Sequence, residues 1–384
     1  MSLLFRSARM RILPANHFAV AYYLCRMHSN GENGIKFDFP SQVFVVEFSP
    51  FAWSKDLVCI GTENSIILGA VLFPEDHSWE ESADSGKVQL YTQLSDSGRV
   101  LETRDVSFIE LKTLQQKQRP QAAAWSPDTT LRGLPRLLHF AVALSASTVQ
   151  NVNIKTDNII KVYKTDLGES TSVVDLEGHQ DYINAVAFEP EGSLLASASD
   201  DLTCRVWTAR DASDYRTLEC KFHLNSPGMA VCWHTEETGK LLVAEKSGLM
   251  QLFNVQTQQP LISLDSGSKP LMSAHWAPSN NTLIAALAAG ELTVWDIQRP
   301  SQPIEVRPVH PQGGRWVKFS NNCDMVIATL GRPGHQLKVH NITAKLPKLS
   351  LPLPIAYGLS WHYHLPYVAL GCDHQLMMWK IATK

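Results

Sequence analysis

One short pattern returns seven times in this 384-residue chain: small or β-branched residues alternate into an aromatic, often with a proline two positions on. The copies are VVEFSP (45–50), AAAWSP (122–127), AVAFEP (185–190), AVCWHT (230–235), SAHWAP (273–278), WVKFSN (316–321) and GLSWHY (358–363). Their aromatics, Phe48, Trp125, Phe188, Trp233, Trp276, Phe319 and Trp361, lie 77, 63, 45, 43, 43 and 42 residues apart. The last four separations match a four-stranded propeller blade, which repeats about every 40–45 residues.

Each anchor is followed by a second apolar run, a polar turn and a third run, such as LLASAS, DDLT and CRVW after Phe188. Runs of four to eight residues, rich in Val, Ile, Leu and aromatics and bounded by Gly, Asp, Asn or Ser, read as strands. VVDL (173–176), KFHL (221–224), LISL (261–264), PIEV (303–306) and LSLPL (349–353) are the candidate outer strands. The seventh repeat has none, because only KIATK follows Trp379, whereas IKFDF (Ile35 to Phe39) precedes the first anchor without a blade of its own. The expectation is an all-β, seven-bladed propeller over 35–384 whose last blade is closed by that N-terminal strand, leaving no open sheet edge.

The two long separations locate insertions. Within the insert at 74–120, the acidic, Ser/Gly-bearing stretch 74–108 reads as an exposed loop elaborating the outer strand of the first blade, with Trp79 to Glu81 as loop decoration. In the second blade DTTLRGLPRL and STVQNVNIKTD read as projecting loops. Residues 1–34 carry Arg6, Arg9, Arg11 and Arg26 against Glu32 and read as an N-terminal extension, disordered, or as a start upstream of the true one at Met27. A mitochondrial transit peptide is the alternative. Beyond residue 34 remain 30 basic and 36 acidic residues, a mildly acidic body that favours protein partners over phosphate backbones. Seven scattered cysteines show no framework spacing and read as reduced thiols of a cytosolic or nuclear protein. No apolar run is long enough for a transmembrane helix, so no membrane insertion is expected.

His179, Ser197 and Asp201 are the residue types of a hydrolase. A catalytic reading needs a reachable serine and an oxyanion pocket, yet Ser197 sits mid-strand without a G-x-S-x-G context. The reading adopted is structural, with no catalytic residue, cofactor or small-molecule substrate, and with Asp200 facing solvent. Cys220, His223, Cys232 and His234 have zinc-like spacing, but strand alternation scatters their faces, so core cysteines and surface histidines are expected and no metal. GRPG (331–334) reads as a hairpin turn, and NSPGMAV (Asn225 to Val231) as a fixed turn entering the fourth blade, the alternative being that it presents Met229 to a partner.

EGH (Glu177 to His179) followed by DDLTCRVW (Asp200 to Trp207) resembles the WD-repeat signature. That resemblance implies a WD40-type propeller and a hydrogen-bonded tetrad of His179, Ser197, Asp201 and Trp207. Longer strings, GHQDYINAVAFEPEG (178–192), HLNSPGMAVCWHTEETGKLLVAEKSG (223–248), PLMSAHW (270–276), RPVH (307–310) and GLSWH (358–362), are similar to a family of small WD-repeat nucleoporins. It implies a scaffold role in the outer-ring Y-shaped complex of the nuclear pore, docked on the large α-solenoid nucleoporin of the short arm. It also implies pore assembly, mRNA export, protein transport and a mitotic place at kinetochores. A WD-repeat adaptor or substrate receptor in a ubiquitin-ligase or signalling assembly is the alternative. Neither reading identifies the partner-binding residues.

Overall fold

The computed structural model describes residues 34–76, 106–131, 136–145, 158–209, 215–267 and 269–382, and the backbone of Tyr22–Tyr23. The expected decoration at 79–81, Met27, Cys25 and most of the two second-blade loops lie outside these residues. Seven sheets follow one another along the chain, and each runs from an inner strand at the central channel to an outer strand at the rim. Blade 3 is typical: Ile183–Phe188, Leu194–Ser199, Thr203–Thr208 and Thr217–His223, all antiparallel neighbours. The fold is a seven-bladed β-propeller, as the anchor period predicts.

Closure follows the predicted route. Ile35–Asp38 pairs antiparallel with Gln375–Lys380, the third strand of blade 7, in the register Ile35↔Met378 to Asp38↔Gln375. Phe37 and Phe39 bury their rings against Phe108, at 5.7 and 5.5 Å between centroids. The first and last blades thereby share one apolar cluster.

The recurring aromatics explain the blade-to-blade packing. All seven are buried, and the indoles that follow a phenylalanine blade reach back to it. Trp125 Nε1 donates to the Glu47 carbonyl at 2.9 Å, Trp233 to Ala187 at 2.9 Å and Trp361 to Lys318 at 3.1 Å. Each acceptor is the residue just before the preceding blade's phenylalanine. One side chain thus fills the gap between blades and satisfies a carbonyl there.

Blade 1 differs from the sequence expectation. Its outer strand is Ser107–Gln115, the longest strand described, and it begins in the last two residues of the stretch read as a loop. It pairs with Ser65–Leu72 through eight register pairs and carries Tyr22–Tyr23 at its other edge. The sequence names no outer strand for this blade because this one lies more than thirty residues beyond the strand it pairs with.

Candidate functional site

Polar side chains gather at the loop entering blade 3 and at the mouth of the central channel. In blade 3 the structure brings His179, Ser197, Asp201 and Trp207 into one chain of hydrogen bonds. His179 Nδ1 lies 2.8 Å from Asp201 Oδ2, and His179 Nε2 lies 2.8 Å from Ser197 Oγ. Trp207 Nε1 donates to the same hydroxyl at 3.0 Å. Asp201 also accepts from the Gln180 and Thr203 backbone N–H groups, each at 3.0 Å, and from the Thr203 hydroxyl at 2.6 Å. Burial alone would raise the Asp201 pKa, but the bonds from His179 and Thr203 outweigh it and hold the carboxyl below its ordinary range. Burial lowers the pKa of His179, with Asp201 opposing. At Gly178 φ is +143°, and a Cβ would collide with the Arg205 guanidinium that donates to the Gly178 carbonyl at 2.7 Å. The positive φ, which L side chains rarely adopt, is why glycine precedes the histidine.

The Ser–His–Asp order of contacts mimics a hydrolase, but Ser197 is fully buried and its hydroxyl also receives the indole. A substrate carbonyl has no route to it. Replacing Asp201 by alanine is expected to cost about 2–4 kcal/mol, since it strands the buried donors of His179 and Thr203. Chemical denaturation checks this, and an unchanged midpoint would show that the clasp holds nothing.

Three side-chain expectations are corrected. Asp200 is half-buried, not solvent-facing, because its Oδ1 accepts from Asn184 Nδ2 at 2.7 Å. That amide also bonds the Gly228 carbonyl of the next blade, tying the two together. His234 is buried, not on the surface: its Nδ1 accepts from the Glu236 and Glu237 N–H groups at 3.1 and 2.9 Å, capping the turn after Trp233. Cys232 is half-buried at the channel, whereas Cys220 belongs to the core between blades 3 and 4 and His223 is exposed. No cluster that could hold a metal occurs among the described residues. The NSPGMAV segment is fixed by Glu245, whose Oε2 accepts from the Asn225 and Ser226 N–H groups.

The channel mouth rests on a device that the sequence reading passed over. In every blade the pairing of inner and second strands slips near the start of the inner strand, between Val43/Val45, Pro120/Ala122, Ile183/Ala185, Gly228/Ala230, Leu271/Ser273, Gly314/Trp316 and Tyr357/Ser360. A bulge re-aims the extra side chain. In blades 1 to 6 the skipped residue lies four positions before the anchor, and each lines the channel: Phe44, Gln121, Asn184, Met229, Met272 and Arg315. In blade 7 the skipped pair is Gly358 and Leu359, next to Tyr357 at the same offset. The fixed offset was the available signal. The channel below holds about 260 Å³, crossed by Glu47 and Lys318 at 3.6 Å.

The WD domain, G-beta repeat family matches residues 170–208, the blade that carries the clasp. Nucleoporin Nup37 of mouse is 35% identical over 348 residues, 89% of this chain and 95% of the mouse protein. Nucleoporin Nup37 of human gives the same figures. Nucleoporin Nup37 of Drosophila melanogaster is 38% identical over 288 residues, 74% of this chain and 85% of the fly protein.

Proposed function

Because this chain belongs to the Nup37 family of nucleoporins, we propose that it is a structural scaffold subunit of the outer-ring Y-shaped complex of the nuclear pore. The observation that carries this reading is the reach of the likeness, 89% of this chain and 95% of the mouse protein. In this role the ring docks on the large α-solenoid nucleoporin of the short arm and supports pore assembly, mRNA export and protein transport. In mitosis it accompanies the complex to kinetochores. It works through surfaces and not through chemistry: the His179–Ser197–Asp201–Trp207 chain closes a loop onto blade 3, and no cofactor or small-molecule substrate is required. A rigid disc that exposes loops at both ends suits such a role, because recognition concentrates on loops held by a stiff scaffold.

The test is localisation together with composition. A tagged protein at native abundance is expected to mark the nuclear rim in interphase, with outer-ring nucleoporins dominating its purified complexes. A diffuse signal, with ubiquitin-ligase or signalling subunits in place of nucleoporins, would overturn the proposal.

A further inference from the structure

On one side of the channel mouth, aromatic rings and guanidinium groups from four blades alternate in a single stack. Arg315 Cζ lies 4.0 Å from the Trp316 ring centroid and 4.6 Å from that of Tyr357. Arg119 Cζ lies 5.6 Å from the Tyr357 centroid and 3.9 Å from that of Phe44. Tyr357 in turn meets the edges of Phe44 and Trp316. Both arginines are half-buried, and neither forms an ion pair with a carboxylate among the described residues. Arg119 Nε is buried without a hydrogen-bond partner. The other cationic groups bearing on Arg315 are Arg119 and Arg332. Arg307, by contrast, meets Glu305 at 2.9 Å and also donates to backbone carbonyls.

Two like charges brought close and partly desolvated are unfavourable unless an anion joins them. The rings hold them in place but do not neutralise them. From this geometry we infer that the mouth of the channel, on the side of blades 6, 7, 1 and 2, is a docking site for an acidic peptide segment of a partner protein. A Glu or Asp carboxylate bridges Arg119 and Arg315, whose planar forks suit bidentate contact. The opposite side of the mouth presents Met229 and Met272, adaptable apolar surface for a neighbouring aliphatic side chain. Nucleic acid fits less well. The ring faces that bases would stack on already carry the guanidinium groups. The chain's net charge of −3 lends no basic field to attract a phosphate backbone. This inference does not depend on the pore assignment, since its readout is binding in vitro and not localisation.

Fluorescence anisotropy at low ionic strength tests it with three labelled probes: octaglutamate, octalysine and octauridylate. Octaglutamate is expected to bind saturably, and octalysine not at all. An Arg119→Ala/Arg315→Ala chain should lose at least tenfold in affinity, whereas Arg299→Ala, on the exposed surface, should lose none. Circular dichroism establishes that the variants are folded, and Arg119→Gln/Arg315→Gln serves as the second pair if the alanines unfold. Absence of saturable octaglutamate binding would overturn the inference, as would affinity within twofold of wild type in a folded double variant. Tighter binding of octauridylate at the same salt would assign the site to nucleic acid instead.

Discussion

A chain that begins at Ser41 is expected to lose the folded ring, whereas one that begins at Gly34 should melt close to the full-length protein. The two differ by the strand Ile35–Asp38 and the residues beside it. Removing that strand deletes four register pairs with Gln375–Lys380 and the bond from Phe39 N to the His374 carbonyl at 2.7 Å. It also empties two fully enclosed aromatic sites, since Phe37 and Phe39 are 1% and 5% exposed. Truncating a buried phenylalanine costs about 3–5 kcal/mol, so two reach the scale of a whole domain's stability, about 5–15 kcal/mol. The damage is also topological. Gln375–Lys380 carries Leu376, Met377, Met378 and Trp379, and without its neighbour becomes a bare apolar edge of the kind that templates aggregation. Thermal melting and sedimentation of the two truncations provide the comparison. A soluble Ser41 chain with an unchanged melting temperature would mean that blade 7 closes by some other route.

The closure was legible because an orphan strand at one end and an incomplete blade at the other are both visible in the letters. The inner strands were legible for a similar reason: their alternation ends in a large aromatic, and that aromatic must be buried wherever the blade sits. What stayed hidden depends on residues far apart in the chain. Asp200 reads as a surface residue until the fold places Asn184 beside it. His234 reads as exposed because nothing in the sequence tells a histidine in solvent from one whose Nδ1 caps a turn. Ser107–Gln115 was hidden by distance, since its pairing partner ends at Leu72. The arginine–aromatic stack was the least legible, because its members come from blades at opposite ends of the chain and meet only when the ring closes. Even so, the fixed offset before each anchor was a usable signal: a residue at the same place in every repeat, yet polar in some and aromatic or Met in others, occupies a position that the fold fixes and packing does not.

Acidification from pH 7 to pH 4 is expected to unfold the ring before Asp201 titrates. Burial pushes the pKa of His139, His310 and His340 down to about 4 and that of His362 to about 3, and nearby cations such as Lys164, Lys338, Arg307 and Lys55 add to the shift. In the unfolded chain these residues titrate near pH 6.5. Above that pH neither state is protonated and the four contribute nothing. Between pH 6.5 and about 4 only the unfolded state takes protons, so stability falls by about 1.4 kcal/mol per pH unit for each residue. Even if local opening relieves two-thirds of the total, about 5 kcal/mol is lost, comparable to the whole stability of a marginal domain. Asp201 acts in a different window: its lowered pKa contributes stability that is lost only below pH 3.8. Denaturation midpoints taken across pH 7 to 3 separate the two contributions. His340 provides the internal control, because neither ring nitrogen has a hydrogen-bond partner. A His340→Met chain should therefore match or exceed wild-type stability at pH 7, keep the volume filled, and unfold at a pH lower by a few tenths. A midpoint that stays below pH 3.5 and ignores His340→Met would shift the acid lability from the buried imidazoles to the carboxylates.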